Sequence, residues 1–217
     1  MITTENLKAK VRFLLNEAND DSDVTLLTVD TRKIDDYIEM LLPEAVLFVQ
    51  KNSNRCGVNT KSATIAKEKI TTAADGSGYL PLPDDFVRLV KLQMTGWKRP
   101  CNILYPNDTA IALAQGNVHT RAGWCKPIAV QDYTAEGLNA LFFYSLPVGV
   151  APNVEAFIYE ARYVPENGLS GNDDTLHEAV AYQCAALVFN VFDKRDSAAS
   201  MLSIAASLCN GNSNNEK

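Results

Sequence analysis

Histidine is almost missing from this chain, with two among 217 residues, so a histidine-based catalytic pair has few places to form. The five cysteines, at positions 56, 101, 125, 184 and 209, are an odd, scattered set with no C-x-x-C pair. They read as reduced thiols and exclude a disulfide framework. No apolar run approaches the length that a bilayer requires, and the opening MITTENLKAKV carries charge where a secretory signal needs an apolar stretch. Basic charge is short as well. A net charge of −6 and a pI near 5.0 argue against a general nucleic-acid-binding surface, which needs clustered Lys and Arg.

The signatures of chemistry are missing too. There is no phosphate loop and no dinucleotide fingerprint. Gly168-Leu169-Ser170-Gly171 resembles a nucleophile elbow, but Asn172 stands where the second glycine belongs. Asn107-Asp108-Thr109 matches a glycosylation sequon, which carries little weight without secretion. The acidic cluster Asn19-Asp20-Asp21-Ser22-Asp23 has Leu26 in place of a calcium-loop glycine and reads as a solvated turn. His177 and Cys184 share a face of one expected helix. Zinc there would need two further ligands, such as His119 and Cys125, and core cysteines are the simpler reading. No catalytic, cofactor-binding or metal-binding residue is assigned, and the chain reads as a non-enzyme.

What is present is material for a core, with 47% hydrophobic residues. In residues 4–18, Leu7, Val11, Leu14 or Leu15, and Ala18 make one stripe of an amphipathic helix with Thr3 or Thr4 as its cap. Residues 31–51 repeat the pattern, with Pro43 expected to bend the helix and restart it. Ile65 to Thr72 is a short strand candidate, and Asp75-Gly76-Ser77-Gly78 is a turn. The central stretch YLPLPDDFVRLVKLQMTGWKRPC (79–101) follows. Its prolines hold Tyr79 to Leu82 extended, and Val90, Leu92 and Met94 alternate against Lys91, Gln93 and Thr95 as a half-buried strand. Trp97 brings a large apolar body with one N–H, ahead of exposed Lys98 and Arg99. Asn107 to Gln115 reads as a short helix, and residues 117–125, with His119, Arg121 and Trp124, as a loop. Three strands are expected at 126–133, 140–146 and 154–164, the second central and the third wet on one side. A helix from Asp173, apolar nearly all round, and a small-residue helix over 197–209 close the pattern. The fold class is α+β: a helical bundle from the N- and C-terminal helices with a central antiparallel β-rich region. The expected organisation is one integrated domain, with N-terminal helices over 1–55, the β-rich region over 56–168, C-terminal helices over 169–209 and a disordered tail over 210–217.

The order of these parts resembles the head-to-tail connector, portal adaptor or ring, proteins of tailed bacteriophages of the short-tailed or crAss-like type. The residues that carry the resemblance are Leu41-Leu42-Pro43-Glu44-Ala45, Leu82-Pro83-Asp84-Asp85-Phe86 with Arg88-Leu89-Val90, Trp97 with Arg99-Pro100, and Glu178-Ala179-Val180. It implies a structural virion protein at the head–tail junction, made in the host cytoplasm. It further implies a homo-oligomeric, dodecameric ring that docks on a portal protein and receives tail proteins. DNA would pass through it without sequence-specific binding, and no membrane or cofactor is implied. The residues alone leave a second reading open: a monomeric ligand- or glycan-binding module using the Trp97/Arg99 and Trp124 loops.

Overall fold

Helices gather at both ends of the chain and strands in its middle, an α+β architecture. The computed structural model describes residues 2–17, 31–171 and 173–211. The expected turn at 19–23, Ala18 and the tail beyond Gly211 lie outside the described residues. Two compact units form, Met1–Thr60 with Arg162–Lys217, and Lys61–Ala161. The sequence reading had set its seams at 55/56 and 168/169 within a single domain.

The first unit is helical. Helix α1 (Thr4–Glu17) begins where the Thr3 hydroxyl accepts the Asn6 N–H at 3.2 Å, and it buries Leu7, Val11, Leu14 and Leu15. Full burial of each such side chain contributes about 1.5–3 kcal/mol. Helix α2 (Thr31–Asn52) runs through Pro43 without the expected restart. Proline cannot donate to the carbonyl one turn back, so that position is a local loss. The stripe Ile38, Leu42, Ala45, Val46 and Val49, all buried, offsets it. Near the end of the chain, Asp173 caps the helix that the sequence marked as over-apolar, accepting from the N–H groups of Thr175 and Leu176 at 3.1 and 3.3 Å. This helix (Asp174–Val191) buries Leu176, Ala179, Val180, Cys184 and Phe189 among others. Asp193, at φ +57°, turns the chain into the last helix (Arg195–Asn210), which starts two residues before the expected Ser197 and includes Asn210 of the expected tail. All four helices contribute to one core. None of the described helices is long and apolar enough to cross a membrane.

The loop into the Asp173 cap passes close to an earlier one. Gly171 sits at φ +124°, and a Cβ there would fall on the carbonyl oxygen of Gly57. Beside it, Ile2 and Leu169 exchange two backbone hydrogen bonds of 3.0 and 2.9 Å.

The second unit is built on two sheets. One has three strands in the order β1 (Thr60–Ser62), β8 (Val154–Ala161), β4 (Phe86–Met94). The other has five: β2 (Thr71–Thr72), β3 (Gly78–Pro81), β7 (Asn139–Phe143), β6 (Ala129–Tyr133) and β5 (Leu104–Pro106). The β5–β6 pair is parallel, and the other pairs with a recorded register are antiparallel. A short helix, α3 (Ala110–Ala114), lies between β5 and β6 with Thr109 as its cap. The C-terminal helices are therefore α4 (Asp174–Val191) and α5 (Arg195–Asn210).

Strand β7 is the middle of its sheet, as its two apolar faces require. Elsewhere the strand readings need correction. The 65–72 segment is a 3-10 turn at Lys67–Lys69 followed by the two-residue β2. Along β4 the buried residues are Leu89, Leu92 and Met94, with Val90 only half-buried. The alternation holds from Lys91 to Met94 and is interrupted at Val90, where the register against β8 shifts between Leu89 and Lys91; two further shifts occur along the pair. Such bulges re-aim side chains.

Strand β8 has no simple wet side over its C-terminal half. It is the middle of its sheet, and Glu160 is 0% exposed. The Arg88 Nε and Nη2 atoms each lie 3.0 Å from its Oε2, which compensates a charge that burial alone would not tolerate. Phe86, Phe157 and Tyr159 stack alongside, with centroid separations of 5.3 to 6.4 Å. The Tyr159 hydroxyl donates to Asp85 at 2.8 Å. Burial, together with that carboxylate, pushes the phenol up to about 12. Burial works against ionisation of Asp85, but bonds from Lys61 and Tyr159 outweigh it and hold the carboxyl below its ordinary value.

Two outcomes are expected from this architecture. Replacing Pro43 with Ala restores a donor within α2 and should stabilise the chain by about 1–3 kcal/mol in urea denaturation. Gly171→Ala should destabilise it by at least about 2 kcal/mol in the same assay, because both the backbone angle and the Gly57 carbonyl oppose a side chain.

Candidate functional site

Strand β4 ends at Met94, and Gly96, at φ +87°, turns the chain against Pro147, whose Cγ lies 2.9 Å from where a Cβ would stand. Trp97 then folds inward. It is 5% exposed and meets the Phe143 ring edge-on at 6.4 Å. The Gln93 side-chain amide donates to the Trp97 carbonyl at 2.7 Å, while the indole N–H has no partner among the described residues. Trp97 is a core residue of the second unit.

The next residue reaches outward and joins two loops. The Lys98 N–H donates to the Trp124 carbonyl at 3.0 Å, and its ammonium lies 4.7 Å from the centre of the Trp124 ring. That separation is a cation–π contact. Trp124 is 43% exposed, and Lys98, Arg99 and Lys126 are exposed around the same turns.

The 117–125 loop is held from several sides. Gln115, buried at the end of α3, accepts the Ala122 N–H at 2.9 Å, and the Asn117 side chain accepts from His119 N–H at 2.9 Å. Arg121 donates to Asp75 at 2.9 Å, with its guanidinium 6.0 Å from the centre of the Tyr144 ring. Ser77 and Arg121 together hold the Asp75 carboxyl well below the usual carboxylate range. The two loops singled out in the sequence do come together, then, but only one of their tryptophans faces solvent.

The sequence pattern did not reveal a second feature, in the first unit. The carboxylates of Glu5, Asp36, Glu39 and Glu166, with Met40, line a groove of about 650 Å³ between α1, α2 and the turn at Pro165–Asn167. Lys8 lies nearly buried there, bonded to Glu39 and to Glu5, and those bonds raise its pKa. Met40 is 66% exposed. The available signal was the charge spacing on the outer stripes of the two helices. Only their packing, fixed also by the Arg12–Asp35 ion pair, assembles it into a groove.

The zinc set considered from sequence is not assembled. No group of three or more His, Cys, Asp or Glu side chains that could hold a metal occurs among the described residues. Cys184 is fully buried in the core of the first unit, and burial pushes its thiol up to about 12. His177 is buried earlier on α4, its Nε2 without a partner among the described residues and its Nδ1 3.7 Å from Asp174. His119 and Cys125 are exposed on the loop of the second unit.

Trp97→Ala should cost about 3–5 kcal/mol, and Trp124→Ala no more than about 0.5 kcal/mol, in parallel chemical denaturation. His177 makes stability depend on pH. Burial holds its pKa below the ordinary 6.5, so the unfolded chain binds the proton first. Stability from this group is complete above pH 6.5 and declines as pH falls below it. A His177→Phe chain, melted between pH 8 and 5, should lose less than the parent over that range.

No model of a known protein family matches this chain, and none of the curated proteins matches its sequence.

Proposed function

We propose that the chain is a structural virion subunit, one copy in a ring at the head–tail junction of a tailed phage, seated under the portal around the DNA channel. The observation that carries this reading is the apolar surface left in water on both units. Phe13 and Met40 are exposed on the helical unit, and Leu113 (70% exposed), Val118 and Val148 on the β-rich one. These exposed side chains leave apolar surface on both units available to contacts with other proteins.

The segments behind the resemblance occupy positions that shape the fold. Leu41 to Ala45 surround the proline within α2, Leu82 to Phe86 make the turn from β3 into β4, and Glu178 to Val180 lie in α4. A net charge of −6 suits a ring through which DNA slides, since like charge does not grip the phosphates. The ligand-module reading loses one of its two aromatic contacts with the burial of Trp97, and Lys98 already lies over the other ring.

Native mass spectrometry of the full chain, alone and with a portal ring, tests the proposal. Closed higher-order species, or stoichiometric retention on the portal, are expected. A strict monomer at high concentration that a portal does not retain would overturn it.

A further inference from the structure

We infer that the Lys98–Trp124 loop pair of one copy docks into the carboxylate-lined groove of a second copy. This rests on the ring reading above and adds the surfaces that meet. Between Gly96 and Lys126 the sequence carries Lys98, Arg99, Arg121 and Lys126 against Asp108 alone, in a chain that is acidic as a whole. Arg121 is committed to Asp75, and the other three cations are exposed.

The groove has the opposite character. Four carboxylates line it, and Lys8, its one cation among the described residues, is already bonded to two of them. The apolar parts match as well. Trp124 stands among the cations of the loop pair, and Met40 among the carboxylates of the groove. A thioether against an indole is a favourable contact, and the ring keeps its cation–π partner Lys98 at the rim.

Charge also restricts the kind of contact. Neither patch can meet its own copy across a two-fold axis, cation on cation or carboxylate on carboxylate, because like-charge repulsion opposes it. Patch on groove joins two different surfaces, and used in one direction it is the heterologous arrangement that generates a ring when its rotation closes. Complementary charge of this kind speeds encounter and fixes register, and it weakens with salt.

The experiment is sedimentation velocity of the full chain over a wide concentration range, at low and at moderate salt. Three variants are compared with the parent: Lys98→Glu with Arg99→Glu, Asp36→Lys with Glu166→Lys, and all four together. The four side chains are exposed, so circular dichroism and melting should show folded chains throughout. Each double reversal should weaken association at least about tenfold, and the quadruple chain should recover to within about threefold of the parent. Mixing the two doubles should restore association, as assemblies in which they alternate, because each surface of one is complementary to a surface of the other. Parental association in both doubles would overturn the docking surfaces and leave the ring reading standing. So would a quadruple chain that fails to recover. If Lys98→Glu with Arg99→Glu leaves self-association intact but abolishes retention of an oligonucleotide, the loop pair is a nucleic-acid contact and the inference is wrong. A parent chain that is monomeric throughout, and that a portal ring does not retain, would overturn both readings.

Discussion

Much of the helical unit follows from one requirement: α4 is apolar on nearly every side and must be enclosed. Its buried residues span its length from Leu176 to Phe189, so no single neighbour could cover them. Helices α1 and α2 supply one set of covering stripes and α5 another, and all of them belong to one core. The requirement extends to the ends of the helix. Asp173 satisfies two N–H groups at the start, and Asp193 reverses the chain at the finish, so that α5 can lie back along α4. The close approach of the loops carrying Gly171 and Gly57 belongs to the same enclosure, since it leads directly into the Asp173 cap.

The β-rich unit answers a different constraint, a charge placed inside a sheet. Glu160 has no exposure, and Arg88 on the neighbouring strand is its compensating cation. Arg88 lies next to a register shift, and the irregularities in β4 set which of its side chains turn inward. Breaking such a pair by removing one member leaves an uncompensated charge, so the two residues act as one unit. Outside the sheets, the turn after Gly96 gives both a core anchor, Trp97, and an outward cation, Lys98, which lies over Trp124 of a second loop. Gly96 reverses the chain, and successive residues then point in opposite directions.

The periodic parts of the fold were legible in the sequence. The stripe Leu7, Val11, Leu14, Leu15 and the all-round apolar pattern of α4 are local, and a local pattern needs no partner to be read. The two-faced apolarity of Leu141 to Tyr144 marked a middle strand for the same reason. What escaped depends on residues far apart in the chain. The reading of the third strand as wet on one side fails at Glu160, because its partner, Arg88, is separated from it by 72 residues. The alternation holds at Leu92 and Met94 against Lys91 and Gln93, and it slips at Val90, where the register against β8 shifts. The 117–125 loop matched no pattern because Asp75, 46 residues from Arg121, helps to fix it. Of the candidate site, the chemistry of the Trp97–Arg99 and Trp124 loops was visible, but not that one ring is buried and the other bears Lys98. The groove was invisible, since its carboxylates come from two helices and a turn that only packing brings together.

Pro43 has an effect beyond the shape of α2. In a regular helix its N–H would bond to the carbonyl four residues earlier, which belongs to Glu39. A proline has none to give, so that one bond of the regular ladder is missing. Glu39 also carries one of the four carboxylates of the groove. The acidic rim of the groove therefore lies beside a turn of α2 in which the backbone ladder lacks one donor.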